Sequence, residues 1–190
     1  MTHENPDAAL VRGALAGERQ AQRALVERHR EAVYRLARTA SGDAEEAFDI
    51  TQEAFIAAFG ALARYDPARA FRGWIAAITL NKCRDRARRR AVRRWIGLPL
   101  PDNAGEWVAD EAPSPEAQAA SRDELAATAR AIAALPASLK DVLILRTIEG
   151  MSQQETAAAL GISAKAAETR LYRARAKLAE AVRDRPRTRV

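Results

Sequence analysis

Apolar residues recur with the period of an α-helix along most of this chain. Two such stripes lie between residues 7 and 40 and are interrupted at Gly17, so this segment predicts two core helices. Asp43 is a typical N-cap residue, and the apolar positions after it predict a third helix over 44–63. A longer helix is expected over 71–95, because large apolar residues line one side of its first half.

The third predicted helix has two distinct faces. Its apolar stripe is expected to be buried and consists of Ala47, Thr51, Ala54, Phe55, Ala58, Phe59 and Leu62. Asp49, Gln52, Glu53 and Ile56 lie together on another face. Most polar helix faces are simply exposed to solvent, and solvation would explain the acids here. It does not explain Ile56, an apolar residue among them.

The C-terminal third contains further helix signals. Ser121 and Glu124 have the spacing of a capping box, and the helix that they begin is expected to end at Leu135, before Pro136. Ser138 is predicted to cap the next helix, which closes before the helix-turn-helix described below.

A helix-turn-helix is predicted near the end of the chain. Ser152 and Glu155 form a second capping-box pattern at the start of a short helix, and Gly161 provides the left-handed residue that ends it. Ser163 can cap a second helix that is longer and basic. Two helices joined by such a tight turn are a common device for reading the DNA major groove. We interpret residues 164–179 as the recognition helix.

Residues 97–118 interrupt the helical pattern. They contain five acidic residues, four prolines and no lysine or arginine. A segment of this length and composition is better explained as a linker than as part of a compact domain. The sequence therefore predicts an all-α protein with two small helical domains, residues 1–96 and 120–190, joined by an acidic, proline-containing linker over 97–119.

Composition supports the helical prediction and adds information about partners. Hydrophobic residues make up 48% of the chain but aromatic residues only 5%, and alanine dominates, which favours helices packed through small side chains. The formal net charge is +6, which favours an acidic polymer as the partner.

The second half of the helix over 71–95 is strongly basic. Like charges three or four residues apart oppose helix formation by about 0.2–0.5 kcal/mol per pair, so the cluster is unfavourable unless it meets a polyanion. Eight bases stand there against one acid, Asp85; they are Lys82, Arg84, Arg86, Arg88, Arg89, Arg90, Arg93 and Arg94. We interpret this cluster as a phosphate-binding surface.

The sequence shows no catalytic constellation. His3 and His29 are far apart, and Cys83 is the single cysteine, which excludes an intramolecular disulfide and a thiolate metal cage within one chain. No stretch approaches the roughly 20 apolar residues of a membrane span, and no signal peptide is recognisable. We therefore expect a cytoplasmic protein that is not an enzyme, has no metal or cofactor, and is not inserted in a membrane.

Five segments, taken in order, carry a family resemblance. They are ALVRGALAG, HREAVYRLA, DITQEAF, the residues from Phe71 to Arg88, and LPASLKDVLILRTIEGMSQQETAAALGISAKAAETRLYRARAKL. In their order and spacing, and in the acidic linker between the last two, they resemble the extracytoplasmic-function (ECF) sigma factors. These proteins are compact two-domain subunits that give bacterial RNA polymerase its promoter recognition.

The resemblance implies partners and site residues. The implied partners are core RNA polymerase, promoter DNA as duplex and as melted single strand, and, as a further candidate, an anti-sigma factor. The implied polymerase-binding residues are Asp49, Gln52, Glu53 and Ile56. The implied minus-ten DNA-binding residues are Tyr65, Phe71, Arg72, Trp74, Asn81, Arg84 and Arg88. The implied minus-thirty-five DNA-binding residues are Lys165, Glu168, Thr169, Arg170, Tyr172, Arg173 and Lys177.

The chain departs from the family pattern at three positions. Phe48 replaces a usual acid, Thr51 replaces a usual aliphatic residue, and Glu168 replaces a residue that is often basic.

Three other functions remain as alternatives. A helix-turn-helix regulator outside polymerase would not explain the second basic cluster. A sigma-mimicking decoy for an anti-sigma protein would not need two intact basic clusters. A nuclease would need clustered carboxylates for metal ions, which the sequence outside the linker lacks.

Overall fold

The regular secondary structure is entirely helical in the residues that the computed structural model describes, which are 6–67, 69–95 and 127–183. The predicted all-α fold is confirmed. The helices are α1 (Ala8–Leu15), α2 (Arg19–Ser41), α3 (Ala44–Ala61), α4 (Phe71–Trp95), α5 (127–134), α6 (Ala137–Leu143), α7 (Gln153–Leu160) and α8 (Ala164–Arg183). A 3-10 turn, Leu62–Arg64, follows α3, and a π-helical turn, Ile144–Ile148, follows α6.

Helices α1 to α4 pack around one apolar core. Leu25 of α2, Ala54 and Ala58 of α3 and Phe71 of α4 are fully buried in it. The alanines let α3 approach its neighbours closely, because they have no atoms beyond Cβ. Burial of a leucine or phenylalanine side chain contributes about 1.5–3 kcal/mol, so Leu25 and Phe71 are major contributors to this packing.

Local chemistry fixes the start of α3, as predicted. The Asp43 carboxylate accepts a hydrogen bond of 2.7 Å from the backbone N–H of Glu46. The end of the helix differs from the prediction: α3 stops at Ala61, two residues early, because the chain tightens into the 3-10 turn there.

The buried stripe of α3 also differs from the prediction at one place. Ile50 is fully buried, whereas Thr51 is half-buried and its hydroxyl donates to the carbonyl of Ala47. Phe59, predicted to be buried, is half-buried as well. The stripe is therefore shifted toward Ile50, which faces a second core that the N-terminal sequence alone does not predict.

Helix α6 begins at Ala137, and the prediction of a Ser138 cap is wrong. The Pro136 carbonyl accepts hydrogen bonds from the N–H groups of Leu139 and Lys140, both at 2.9 Å. Pro136 thus takes the N-cap position, and Ser138 lies within the first turn. Proline suits the start of a helix because it has no backbone N–H that would need an acceptor there.

The end of this helix widens into the π-helical turn. The N–H of Glu149 donates to the carbonyl of Ile144, five residues earlier, at 3.0 Å. This spacing accommodates one more residue than an α-helical turn would, and it places Glu149 and Met151 on the side of the chain that faces the N-terminal helices.

The helix-turn-helix has the predicted local structure. Ser152 and Glu155 form a complete capping box at the start of α7, and Gly161 ends that helix with φ +63. The Ser163 hydroxyl accepts from the N–H of Ala166 and so caps α8. Helix α8 continues to Arg183, four residues beyond the predicted end of the recognition helix.

The N-terminal and C-terminal helices are packed against each other. A shared core joins Leu36 of α2, Ile50 of α3 and Leu80 of α4 to Ile144 and Met151. Each of these side chains is buried. The linker over 97–119 and the domain boundaries that we predict at its ends lie outside the described residues.

Gly161 and Gly60 offer a matched test of the turn. An alanine at a left-handed position costs about 1–2 kcal/mol, so Gly161→Ala should lower the free energy of unfolding by that amount. Gly60→Ala, inside α3 and with open space around the new Cβ, should raise it by up to about 1 kcal/mol. Urea unfolding followed by circular dichroism measures both. Shifts of the same sign would contradict the role given to Gly161.

Candidate nucleic-acid and protein interfaces

The outer face of α3 is accessible to solvent, as predicted. Asp49, Gln52 and Ile56 are exposed, and Glu53 is partly exposed. Ile56 is 72% exposed, and Phe48 on the same helix is 59% exposed. We call these five residues the α3 face. Two large apolar side chains among acids on a water-facing helix indicate a protein contact surface.

Helix α4 supplies counterions to these acids. The Arg86 guanidinium donates hydrogen bonds to Asp49 at 3.2 Å and to Glu53 at 2.6 Å. Arg90 forms an ion pair with Glu46 at 2.7 Å. Arg86 and Arg90 therefore have counterions on the neighbouring helix, which a count of acids along α4 alone does not reveal.

The basic cluster is thus divided between pairing and exposure. Among the described residues Arg88 pairs with Asp85 of its own helix, at 2.9 Å, and its side chain is largely exposed. Arg89 and Arg93 are exposed and make no ion pair within the described part of the chain. These three arginines remain available for phosphate.

The paired carboxylates of α3 differ in their electrostatics. The pKa of Glu53 lies below its ordinary value, chiefly because Arg86 donates a hydrogen bond to it, while partial burial opposes the shift. Burial raises the pKa of Glu46, and the charge of Arg90 offsets this only in part. Glu53 is therefore an ionised carboxylate at the surface, whereas Glu46 is a more buried carboxylate that pairs with Arg90.

Three predicted minus-ten residues form an aromatic cluster before and within α4. The ring centroids of Tyr65 and Phe71 are 5.8 Å apart, and those of Tyr65 and Trp74 are 5.0 Å apart. Phe71 is fully buried, Tyr65 is 7% exposed, and the Tyr65 hydroxyl donates to the carbonyl of Arg69. In this conformation their rings hold the loop in place, and a direct DNA contact by Tyr65 or Phe71 stays a prediction.

The remaining predicted minus-ten residues fall into two groups. Asn81 and Arg88 are exposed along α4. Arg72 and Arg84 are also at the surface, but Arg72 lies 3.2 Å from the Glu149 carboxylate and Arg84 lies 2.9 Å from that of Asp141. This second group is engaged by the C-terminal helices.

Helix α8 presents its predicted stripe to solvent. Ala167 and Ala174 are buried on the inner side. On the outer side, Lys165 and Glu168 are exposed and form an ion pair at 2.9 Å, and Tyr172 is 76% exposed. The first turns of the helix are therefore free to enter a groove.

The other predicted residues of α8 flank this stripe. Arg173 and Lys177 are exposed, whereas Thr169 and Arg170 are half-buried. The Thr169 hydroxyl donates to the carbonyl of Lys165 at 2.9 Å. A basic and partly aromatic helix surface of this kind suits DNA.

Other chemistry finds no support in the described residues. Among them no group of three His, Cys, Asp or Glu side chains could hold a metal ion. None of the helices described has the length and apolar character needed to cross a membrane. Burial raises the pKa of the Cys83 thiol to about 12, so this cysteine is an unreactive core residue.

Two parts of the chain match known families. Residues 25–93 match Sigma-70 region 2, and residues 125–178 match Sigma-70 region 4. The RNA polymerase sigma factor CnrH of Cupriavidus metallidurans is 41% identical over 183 residues, which cover 94% of this chain and 95% of that protein. The ECF RNA polymerase sigma factor SigD of Mycobacterium tuberculosis is 34% identical over 92% of this chain and 82% of that protein. The chain belongs to the ECF sigma-factor family.

Solved structures agree with this assignment. The structure of CnrH in complex with the cytosolic domain of CnrY is similar to this ECF sigma factor with a TM-score of 0.70 and 34% identity. The similarity covers 95% of this chain and 99% of that one, so it includes both domains. The sigma factor RpoE of Bartonella quintana, solved with the anti-sigma factor NepR, shares the fold at a TM-score of 0.66 and 20% identity.

Four residues of this ECF sigma factor have roles in the structure that the sequence alone did not predict. Arg86 was assigned to phosphate binding but holds the acids of α3. Asp141 and Glu149 are carboxylates in apolar helical segments, and only the packing of the two domains brings them to arginines. Phe48 belongs to the α3 face, and its departure from the family pattern is the signal in the sequence that could have included it.

Arg86→Gln should raise the pKa of Glu53 toward its ordinary value, since the hydrogen bond that lowers it would be lost. The wild-type protein should then be the more stable of the two above the ordinary glutamate pKa. This difference should disappear as the pH falls through the lowered pKa, because the carboxylate is protonated there. Carbon-13 NMR titration of the Glu53 carboxyl measures the shift. Lys82→Gln is the control, because Lys82 lies 3.8 Å from Glu53 and should change the pKa less.

Proposed function

We propose that this ECF sigma factor binds core RNA polymerase and directs transcription initiation at a specific set of promoters. The observation that carries the proposal is the α3 face, where Ile56 and Phe48 are exposed beside Asp49 and Glu53. An apolar centre with charged neighbours supports a specific contact that can later be released. Arg86 holds both carboxylates, so the face is ordered before a partner arrives.

The minus-ten element is proposed to bind along α4. Asn81 can hydrogen-bond the edge of an unstacked base, and the exposed Arg88 can hold phosphate. The loop before α4 stands on the buried rings of Tyr65 and Phe71, which gives it a fixed position for capture of a flipped base. In this proposal, promoter melting is the capture of single-stranded DNA by this surface, and Arg72 and Arg84 join it when they are free.

The minus-thirty-five element is proposed to bind α8. Residues 165, 168, 169, 172 and 173 form one stripe on the first turns of the helix, and these turns would enter the major groove. Arg173 can pair with a guanine and Glu168 can accept from a cytosine amino group. Lys177 lies further along the helix and is suited to phosphate.

The wider setting follows from the same proposal. The protein would act in the cytoplasm through binding rather than catalysis, and the acidic linker would thread into channels of polymerase that are built for nucleic acid. An anti-sigma protein is included among the proposed partners, since the similar CnrH and RpoE structures contain CnrY and the anti-sigma factor NepR. The acids of the linker and the exposed bases of both domains favour this function over a regulator outside polymerase.

Ile56→Asp should weaken binding to core polymerase by about 10- to 100-fold, because burial of an isoleucine at an interface is worth about 1.5–3 kcal/mol. Fluorescence anisotropy of the labelled sigma factor titrated with core polymerase measures the affinity. Leu15→Asp is the matched control, since Leu15 is an exposed apolar residue on α1, far from the α3 face in sequence. Wild-type affinity in Ile56→Asp, or an equal loss in Leu15→Asp, would remove the α3 face from the proposal.

Glu168→Arg should change the base preferred in the minus-thirty-five element, because a contact of this kind discriminates by about 1–3 kcal/mol. Lys177→Ala should weaken binding to all sequences and reduce the salt slope by about one, as expected for a lost phosphate contact. Selection from randomised promoter DNA by the holoenzyme compares the two variants. An unchanged motif with Glu168→Arg, or a new motif with Lys177→Ala, would show that the recognition stripe is misplaced.

A further inference from the structure

One face of α4 stays at the surface from the middle of the helix to its end. Residues spaced at i, i+4, i+7, i+11 and i+14 lie within about 40° of one line along an α-helix, because each residue turns the chain by about 100°. Asp85 is half-buried, and the other members of this set are exposed. We call the set the α4 stripe; it consists of Asn81, Asp85, Arg88, Val92 and Trp95.

The end of the stripe carries its apolar residues. Within the described part of the chain, Trp95 is 87% exposed and Val92 is 52% exposed. Tryptophan has the largest apolar ring of any side chain and is highly buried on average, so an indole this exposed is unusual. Both residues lie beyond Arg88, the last residue that we have assigned to the minus-ten element. The last turns of α4 therefore present a contact surface that the proposed function does not yet use.

Charge indicates which kind of partner this surface suits. Arg89 and Arg93 are exposed beside the stripe and make no ion pair with any described residue. Arg86 and Arg90 point away from it, toward their counterions on α3. Free guanidinium groups next to an exposed indole suit the phosphates and rings of a nucleic acid. A lipid surface fits less well, because two apolar side chains are too few for the apolar face of an interfacial helix.

We propose that the last turns of α4 bind duplex DNA immediately upstream of the minus-ten element. Arg89 and Arg93 bind its phosphates, and Val92 and Trp95 pack against its deoxyribose rings. The inference rests on the proposed function of α4, in which the loop before the helix captures a flipped base. Melting extends from that base toward the transcription start site, so the opposite end of α4 lies over DNA that is still paired.

Helix geometry sets the length of this contact. From Asn81 to Trp95 the helix advances about 21 Å, at about 1.5 Å per residue. Successive base pairs of B-DNA are about 3.4 Å apart, so this advance spans about six base pairs if α4 runs along the duplex. The contact therefore needs upstream duplex of about that length. Because sugars and phosphates carry no base identity, it should not depend on the sequence of that duplex.

Two fork-junction DNAs that differ only in upstream duplex test the proposal. Both lack a minus-thirty-five element, and their duplex continues for about two or about ten base pairs upstream of the minus-ten element, below and above the length that the helix spans. Fluorescence anisotropy of the labelled DNA measures affinity for the holoenzyme. Trp95→Ala should weaken binding of the long DNA by about 5- to 10-fold and leave the short DNA unchanged. Trp95→Phe keeps an apolar ring and should retain most of the affinity.

The charged part of the contact has its own variant and controls. Arg93→Ala should weaken only the long DNA and reduce the salt slope of its binding by about one. Leu15→Ala and Arg23→Ala make matched changes at exposed residues of α1 and α2, and they should leave the difference between the two DNAs at its wild-type value.

Three results would overturn the proposal. Wild-type binding of both DNAs by Trp95→Ala would show that the indole makes no DNA contact. An equal loss on both DNAs would show that Trp95 acts within the chain, as it would if it packed against the acidic linker. Binding of the wild-type protein to phosphatidylglycerol vesicles that Trp95→Ala abolishes, with no difference in DNA affinity, would identify a lipid surface instead.

Failure of the inference can be separated from failure of the proposed function. Asn81→Ala and Arg88→Ala are assayed on the same two DNAs and should weaken both, since their contacts lie within the minus-ten element. If they do so while Trp95→Ala binds both DNAs normally, the minus-ten surface stands and only its upstream extension is overturned. Wild-type affinity of Asn81→Ala and Arg88→Ala for both DNAs would instead remove α4 from the proposed function.

Discussion

The positive charge on the second half of α4 is the constraint on which this structure depends. Arginines on successive turns of one helix repel each other, so the folded chain must bring counterions from elsewhere. Helix α3 supplies Asp49 and Glu53, and the C-terminal domain supplies Asp141. The packing of three separate segments is therefore tied to one electrostatic requirement, while burial of the apolar cores supplies most of the free energy that holds them together.

This requirement places the proposed functional surfaces next to each other. Asp49 and Glu53 face outward for a protein partner while they hold Arg86 on the neighbouring helix. Any partner that binds those acids changes the electric field at Arg86 and along the basic side of α4. By linkage, a ligand on the basic side must then alter the affinity for a ligand on the acidic side, in whichever direction the shared charges dictate.

Short-range chemistry explains which features the sequence could predict. The Asp43 cap, the Ser152–Glu155 capping box and the turn at Gly161 each depend on residues within a few positions, and all three are present as predicted. The pairing of Arg86 with Glu53 depends on which helix packs beside α4, so a count of acids along α4 alone missed it. The apolar pattern at the start of α4 is the same whether the Phe71 ring supports the loop or contacts DNA, so the sequence could not distinguish the two. Glu149 pairs with Arg35 and Arg72 only because the two domains pack together, which local sequence does not show.

The π-helical turn over Ile144–Ile148 has a consequence for how such proteins diversify. Because the turn holds one residue more than an α-helical turn, removal of that residue would restore an α-helical turn and leave the direction of the chain after it nearly unchanged. The same deletion in the α-helical part of α6 would rotate all that follows by about 100°, since an α-helix has 3.6 residues per turn. The turn is thus a place where the chain can lose a residue while α8 keeps its orientation.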